Sequence, residues 1–340
     1  MPITRPRIVY IVGAGLSAGL KFPTIGNLLE QIWPRLQQAG LSNELADVIR
    51  FHHPSFNPTL PTTFINVEQL LSEMKANEQL FASSRPATGS FTSVQLEHRR
   101  QSFLLEMADW FHELQATVSK NPPAWLAKLV DRMTQEHAQI ISFNWDLVLD
   151  EMLFGNSLCR RSYGLDGGPS TVRLLKPHGS LNWFEEASGR HLKAAKKFRL
   201  SGTKPGRVYA LKPYRAPTSS RRNYMPLIVP PVLNKEFEGP LFQHLWQETV
   251  SMLSTASEVR FVGYSLPQAD FHARFILRCG FHNQEHGELD AKGRRRTATG
   301  RAMVTIVDSE PSVAPRIEDA VGWPCQYARG TVEDWVGTWP

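Results

Sequence analysis

The sequence predicts an α/β fold, a doubly wound parallel sheet of about six strands, and three observations carry that reading. The first is a β-branched and aromatic run, Ile8-Val9-Tyr10-Ile11-Val12, that breaks into Gly13-Ala14-Gly15. The second is the return of short apolar runs at 138–143, 172–175, 227–229, 259–262 and 303–307, several of them separated by helical spacing. The third is the polar or glycine-bearing turn at the end of each run. In order these turns are Gly-Ala-Gly, Asn144-Trp145-Asp146, Lys176-Pro177-His178-Gly179-Ser180, Pro230-Pro231, Gly263-Tyr264-Ser265-Leu266 and Asp308-Ser309. In a parallel sheet such turns share one edge, the carboxyl ends of the strands, where ligands of this architecture bind.

Between the first two runs the chain reads as helical. Asn27 to Ala39 carries Leu28, Leu29, Ile32, Trp33 and Leu36 at helical positions, and Gly40 can end it. Residues 41–64, with prolines at 54, 58 and 61, read as loop. Helical patterns come next at Val67, Leu70, Leu71 and Met74, at Phe103 to Leu114, and at Trp125 to Met133. Their aromatic and methionine stripes suit core packing. The Ser/Thr-rich segment 83–94 reads as surface loop, and 40–135 as a helical layer inserted between two strands. Further helices are expected at Leu241 to Leu253 and Phe271 to Leu277. No internal repeat or linker divides the chain, so one domain is expected over 1–340, with the helical insertion at about 40–135 and a basic loop insertion at about 185–225.

At 340 residues, 41% hydrophobic and 21% charged, the chain can bury a large core. No apolar stretch spans a bilayer and no charged-then-apolar leader opens the sequence, so a cytoplasmic protein without membrane contact is expected. Cys159, Cys279 and Cys325 are too few and too scattered for a disulfide framework or a cysteine zinc site, and Cys159 and Cys279 read as small core residues or inert thiols. The histidines fall in no metal-ligand spacing, and His52-His53 reads as surface. The net charge of +6 is concentrated: 190–222 holds eleven Lys or Arg and no acid, and Lys292 to Arg296 forms a second cluster. Solvated loops are the simpler account; a weak or indirect nucleic-acid contact, or an acidic partner, is the other.

The glycine turn is a candidate phosphate cradle, because glycine admits close approach and a helix N-terminus favours negative charge. Gly13-x-Gly15-x-x-Ala18 fits a dinucleotide fingerprint, although an ordinary tight turn would look the same. A dehydrogenase would place an acid about twenty residues further on, at the end of its second strand. Here that region is helix, which weakens hydride transfer. The polar candidates are instead Asn144, Asp146 and His178. Histidine suits acid–base work near neutral pH, and an asparagine amide can orient a water or hydroxyl without charge. Such groups suit cleavage of a nicotinamide–ribose bond, where a cationic ribosyl centre develops, as it does in glycoside hydrolysis. Each has a plainer reading: His178 as a core histidine, Asn144 as a helix cap, Asp146 as first-turn charge.

GAGLSAG with Phe22-Pro23-Thr24, then Asn66 to Leu71, SFNWD, KPHGS, Pro230-Pro231 through Lys235, GYSLPQAD and Ile306-Val307-Asp308 together resemble the motif set of the sirtuin (silent information regulator) superfamily. More narrowly, they resemble its bacterial antiphage-defence NADase branch. The resemblance runs in order from Arg7 to Trp335 and implies a Rossmann-like fold. It implies NAD as substrate, bound through Gly13, Ala14, Gly15 and Ser17 at its phosphates, Gly263 and Ser265 near phosphate or ribose, and Asp308 at the adenosine end. Asn144 would position water or ribose, Asp146 would support the site, and His178 would be the general base. The products implied are nicotinamide and ADP-ribose, with NAD depletion and abortive infection as the effect. Sirtuin deacylases carry four zinc-binding cysteines after the histidine, whereas 180–258 contains none, so no zinc module is expected. Deacylation and ADP-ribosyl transfer stay as alternatives, as does a non-catalytic subunit sensing NAD or ADP-ribose. The resemblance also implies a homo-oligomer and a partner such as a HerA-type ATPase or a short Argonaute.

Overall fold

The structure is a computed structural model that describes residues 7–80, 92–165, 171–186, 209–210, 224–228, 240–268, 270–290 and 292–340. A six-stranded sheet forms its centre. The strands are β1 (Ile8–Val12), β2 (Gln139–Ser142), β3 (Arg173–Leu175), β7 (Glu258–Val262), β8 (Met303–Asp308) and β9 (Gln326–Arg329). A second sheet of three antiparallel strands holds β4 (Gly179–Glu186), β5 (Tyr209–Ala210) and β6 (Tyr224–Ile228), in the order β5-β4-β6.

The main sheet runs β3-β2-β1-β7-β8-β9, and every pair in it is parallel. Counting only its own strands, the order is 3-2-1-4-5-6, the doubly wound Rossmann arrangement, with its topological switch point between β1 and β7. All five β1 side chains are buried, as are four of five in β7, because helices cover both faces of a parallel sheet. The strand order reverses at the β1/β7 pair, where the chain leaves for opposite halves of the sheet, and this opens a crevice outside their carboxyl ends.

The helices are α1 (Ala14–Ala18), α2 (Leu28–Gln38), α3 (Ser42–His52), α4 (Val67–Leu80), α5 (Ser93–Lys120), α6 (Ala124–Gln135), α7 (Val148–Phe154), α8 (Pro240–Ser254), α9 (Phe271–His286), α10 (Val313–Val321) and α11 (Val332–Gly337). Helices α3 to α6 form the layer expected between the first two strands. Thr92 starts α5 with a capping box to Gln95, so that helix begins where the Ser/Thr-rich segment ends. Residues 81–91, the rest of that segment, lie outside the described residues, as does most of 190–222 and all of Pro230 to Lys235. Among the described residues no helix is long and apolar enough to cross a membrane.

Three expectations are corrected. Leu227 and Ile228, the described part of the run at 227–229, end β6 in the antiparallel sheet, and the sixth parallel strand is β9. Its sequence, Gln-Tyr-Ala-Arg, lies at the sheet edge and is only half-buried, so it shows no apolar run. The supposed loop after Gly40 contains α3, whose buried Leu45, Ala46, Val48 and Ile49 keep a helical spacing that the prolines downstream obscure. Cys159 is exposed rather than a core residue. Hydrogen bonds from the Ser162 backbone and hydroxyl hold its thiol below the ordinary range.

Candidate functional site

The glycine turn is shaped first by how closely β1 and β7 approach each other. Gly13 donates its N–H to Val262 O at 3.2 Å and Gly15 donates to Gly263 O at 2.8 Å. A Cβ on Gly15 would lie 2.8 Å from the Gly263 backbone. Gly263 has φ +59°, and a Cβ there would lie 2.5 Å from the Leu16 amide nitrogen. Two turns interlock through backbone alone, which only glycine permits. The glycines therefore set the floor of the crevice, and the amides of Gly13 and Gly15 are spent on Val262, which ends β7, and on Gly263 just after it.

A polar relay joins that floor to the turn after β2. Ser17 Oγ donates to Asp146 Oδ2 at 2.6 Å. Asn144 Nδ2 donates to Gly13 O at 2.9 Å and to Ser17 Oγ at 3.0 Å. With its proton given to Asp146, Ser17 Oγ receives the Asn144 donor, and a carbonyl can only accept. These two partners fix which end of the carboxamide is nitrogen and leave Oδ1 as the end directed away from them. Asp146 Oδ1 accepts from the Val148 N–H at 3.1 Å, so both carboxylate oxygens anchor structure. Burial pushes this carboxyl above its ordinary range, against the pull of Lys176 and the Ser17 hydrogen bond. Asp146 thus supports Ser17 and the start of α7, close to the plainer reading of a first-turn acid.

The third turn is braced from behind by Lys176, whose side chain is fully buried. Its Nζ lies 2.5 Å from Asp146 O and 3.1 Å from Asp150 Oδ2. Asp150 also accepts from Tyr163 Oη, which in turn accepts from Asn182 Nδ2 at 2.7 Å. Gly179 N–H closes the turn onto Lys176 O at 2.9 Å, with Pro177 and His178 at its centre. Pro at the second position and Gly at the fourth is the sequence a tight turn calls for. His178 Nε2 lies 3.1 Å from Asp270 Oδ2, both side chains being almost fully buried. Phe143 packs edge-on to the imidazole at 4.9 Å and stacks on Tyr264 at 4.4 Å and 11°.

A cavity of about 490 Å³ occupies the crevice. Its wall includes every candidate named from the sequence: Gly13, Ala14, Gly15, Ser17, Asn144, Asp146, His178, Gly263, Ser265 and Asp308. A second cavity of about 400 Å³ adjoins it, lined by Trp125, Val307, Gly330 and Thr331 among others. Gly15, Thr24, Gly263 and Asp308 line both. Burial raises the half-buried Asp308 carboxyl at this junction. Volumes of this size suit a small organic ligand, and the pair in series suits an elongated one. Among the described residues no group of three or more His, Cys, Asp or Glu is placed to hold a metal ion.

Sequence reasoning assigned no role to Asp270, Tyr264, Phe143 or Glu68, all of which line the first cavity. Asp270 carried one legible signal, its place just before a helix, and its Oδ1 does cap α9 by accepting from Ala273 N–H at 3.2 Å. That signal says nothing of His178.

No protein-family model matches the chain and no curated protein matches it. Solved structures similar to it include Sir2 enzymes. One, described under the mechanism and regulation of Sir2 enzymes, is 14% identical, with a TM-score of 0.44 over 97% of this chain and 90% of that one. Another, a mutant Sir2 homologue in complex with ADP-ribose, is 12% identical, with a TM-score of 0.44 over 97% and 88%. A third, described under sirtuin substrate affinity, is 11% identical, with a TM-score of 0.44 over 97% and 91%.

Proposed function

We propose that the chain is an NAD glycohydrolase, cleaving NAD to nicotinamide and ADP-ribose. One observation carries the reading: Asn144 and His178, from the turns after β2 and β3, line the same cavity as the interlocked glycine turn at the switch point. The pyrophosphate of NAD would lie over the Gly13–Ser17 turn and Ser265. The adenosine end would lie past Asp308 in the second cavity, and the nicotinamide riboside in the first. A polar carboxamide oxygen and a buried imidazole would then flank the ribose.

In the reaction, water adds to the ribosyl C1′ as the C1′–N bond breaks. The bonding electrons go to the pyridinium nitrogen, which leaves as neutral nicotinamide. Asn144 Oδ1 accepts a hydrogen from water or a ribose hydroxyl and so faces the developing cation with a negative dipole. His178 takes the proton of the water. Three cysteines in the whole chain cannot make a four-cysteine zinc module, and this favours hydrolysis over the deacylase alternative.

The ordered motif resemblance supports assigning the role to antiphage defence through NAD depletion, as a homo-oligomer in the cytoplasm with a partner such as a HerA-type ATPase or short Argonaute. Pure protein incubated with NAD, alone and with its partner, is expected to release nicotinamide and ADP-ribose on chromatography. NAD that persists under both conditions overturns the reading, and release of acyl-ADP-ribose only in the presence of an acyl-lysine peptide replaces it with deacylation.

A further inference from the structure

We propose that Asp270 is the positioning residue of His178, so that the two work as a carboxylate–imidazole pair; this rests on the hydrolase reading for its kinetic consequence but not for its existence. The pair joins two distant turns. His178 sits at the centre of the turn after β3, and Asp270 sits at the entrance to α9, after the turn that leaves β7. Their side chains, 5% and 1% exposed, meet at 3.1 Å on the wall of the cavity.

Asp270 is itself over-determined. Its Oδ1 accepts from the Ala273 amide, and Tyr264 Oη lies 3.4 Å from Oδ2. Tyr264 is in turn held by its stack on Phe143, whose ring edge meets the imidazole. Trp246, from α8, closes the box at 6.0 Å from the His178 ring. The imidazole therefore lies among aromatic faces with a buried carboxylate at one nitrogen. A carboxylate can only accept, so the neutral tautomer this pair favours is the one with the proton on Nε2. When the ring takes a proton, the imidazolium forms against Asp270 in surroundings of low dielectric, where the attraction is strong. Among the described residues, the titratable groups that share the cavity wall with it are Tyr264 from the β7 turn, Glu68 from α4, Asp146 and Asp308. Lys176, on the same turn, has its Nζ committed to Asp150 and to backbone carbonyls.

A helix cap alone would explain Asp270 equally well, and Asp270→Asn separates the two roles. Asparagine is as good an N-cap as aspartate, so α9 keeps its start. Its neutral amide cannot support an imidazolium. In Asp270→Asn, kcat is expected to fall about 10²- to 10⁴-fold with little change in KM. The acid limb of the pH profile is expected to move to lower pH, because the imidazolium loses its counter-charge. NMR of the His178 ring nitrogens reads the same point without NAD: the variant should titrate at lower pH than wild type and lose the preference for the Nε2–H tautomer. Should Asp270→Asn fail to fold, Asp270→Ser, also a capping residue without a carboxylate, takes its place. An unchanged His178 titration and tautomer overturns the pair, whatever the enzyme does. A shifted titration in a protein that never consumes NAD sustains the pair and overturns the hydrolase reading instead.

Discussion

Two buried polar networks cross the main sheet, and they differ in what they leave over. The first lies beside the middle of β1. Arg260 reaches Glu136 at 2.8 Å and Glu258 at 2.5 Å, and also donates to the Tyr10 hydroxyl, while Tyr10 Oη donates to Glu136 at 2.7 Å. Arg132 adds a second cation to Glu136 at 3.0 Å. Each acid faces a cation, and hydrogen bonding holds the Glu136 carboxyl below its ordinary range despite burial. The second network, Asn144–Ser17–Asp146–Lys176, is as densely bonded but stands on a cavity wall. Complete pairing makes a rivet between strands. Pairing that fixes a side chain while leaving one end of it toward a cavity makes a tool.

The sharpest break in this contrast is expected from His178→Ala. Loss of a general base should cut NAD consumption per folded molecule about 10²- to 10⁴-fold, beyond the loss of stability that follows from leaving the buried Asp270 without its partner. A variant that hydrolyses NAD at full rate would dissolve the distinction. Arg260→Met should do the reverse. It takes the guanidinium from Glu258 and leaves Glu136 to Arg132 and Tyr10, at a cost of about 1–3 kcal/mol; urea denaturation should read the loss, while turnover per folded molecule stays the same.

Gly263→Ala sits where the two regimes meet, at the end of the riveted strand and on the floor of the cavity. Its φ of +59° and the 2.5 Å approach to Leu16 should cost about 1–3 kcal/mol in strain and weaken NAD binding as the turns part, measurable by calorimetry. A gentler test is pH. Because burial raises the Asp146 carboxyl, the native state keeps a proton there at pH values where the unfolded chain has lost it. Stability therefore falls as pH rises from about 3.9, the ordinary aspartate value, to the raised one. Asp146→Asn should flatten that decline in urea titrations across the same range. The smallest effect concerns neither network: Cys159, exposed and with a lowered thiol pKa, should be alkylated before Cys325, which burial pushes up to about 12. Peptide mass analysis gives the order, and turnover should not change.

Much of the site was legible because its pieces are turns. Gly13-Ala14-Gly15, Asn144-Trp145-Asp146 and Lys176-Pro177-His178-Gly179 each come directly after an apolar run, so the parallel-sheet reading alone put them on one edge. The edge strand β9 escaped because half-burial leaves no alternation or apolar run to detect. Helix α3 escaped because the prolines after it dominated a window that its own Leu45, Val48 and Ile49 should have governed.

The sequence by itself determined the strands at the centre of the sheet, the carboxyl-edge turns and the residues those turns carry, since these arise from short-range periodicity and the dihedral demands of glycine and proline. Only the tertiary structure decided which way the Asn144 amide faces, that Asp146 spends both oxygens on anchoring, and that Asp270 is the acid beside His178. Those are contacts between residues far apart in the chain. Their geometry depends on strand order and on how closely two glycine turns can approach, which no local pattern encodes.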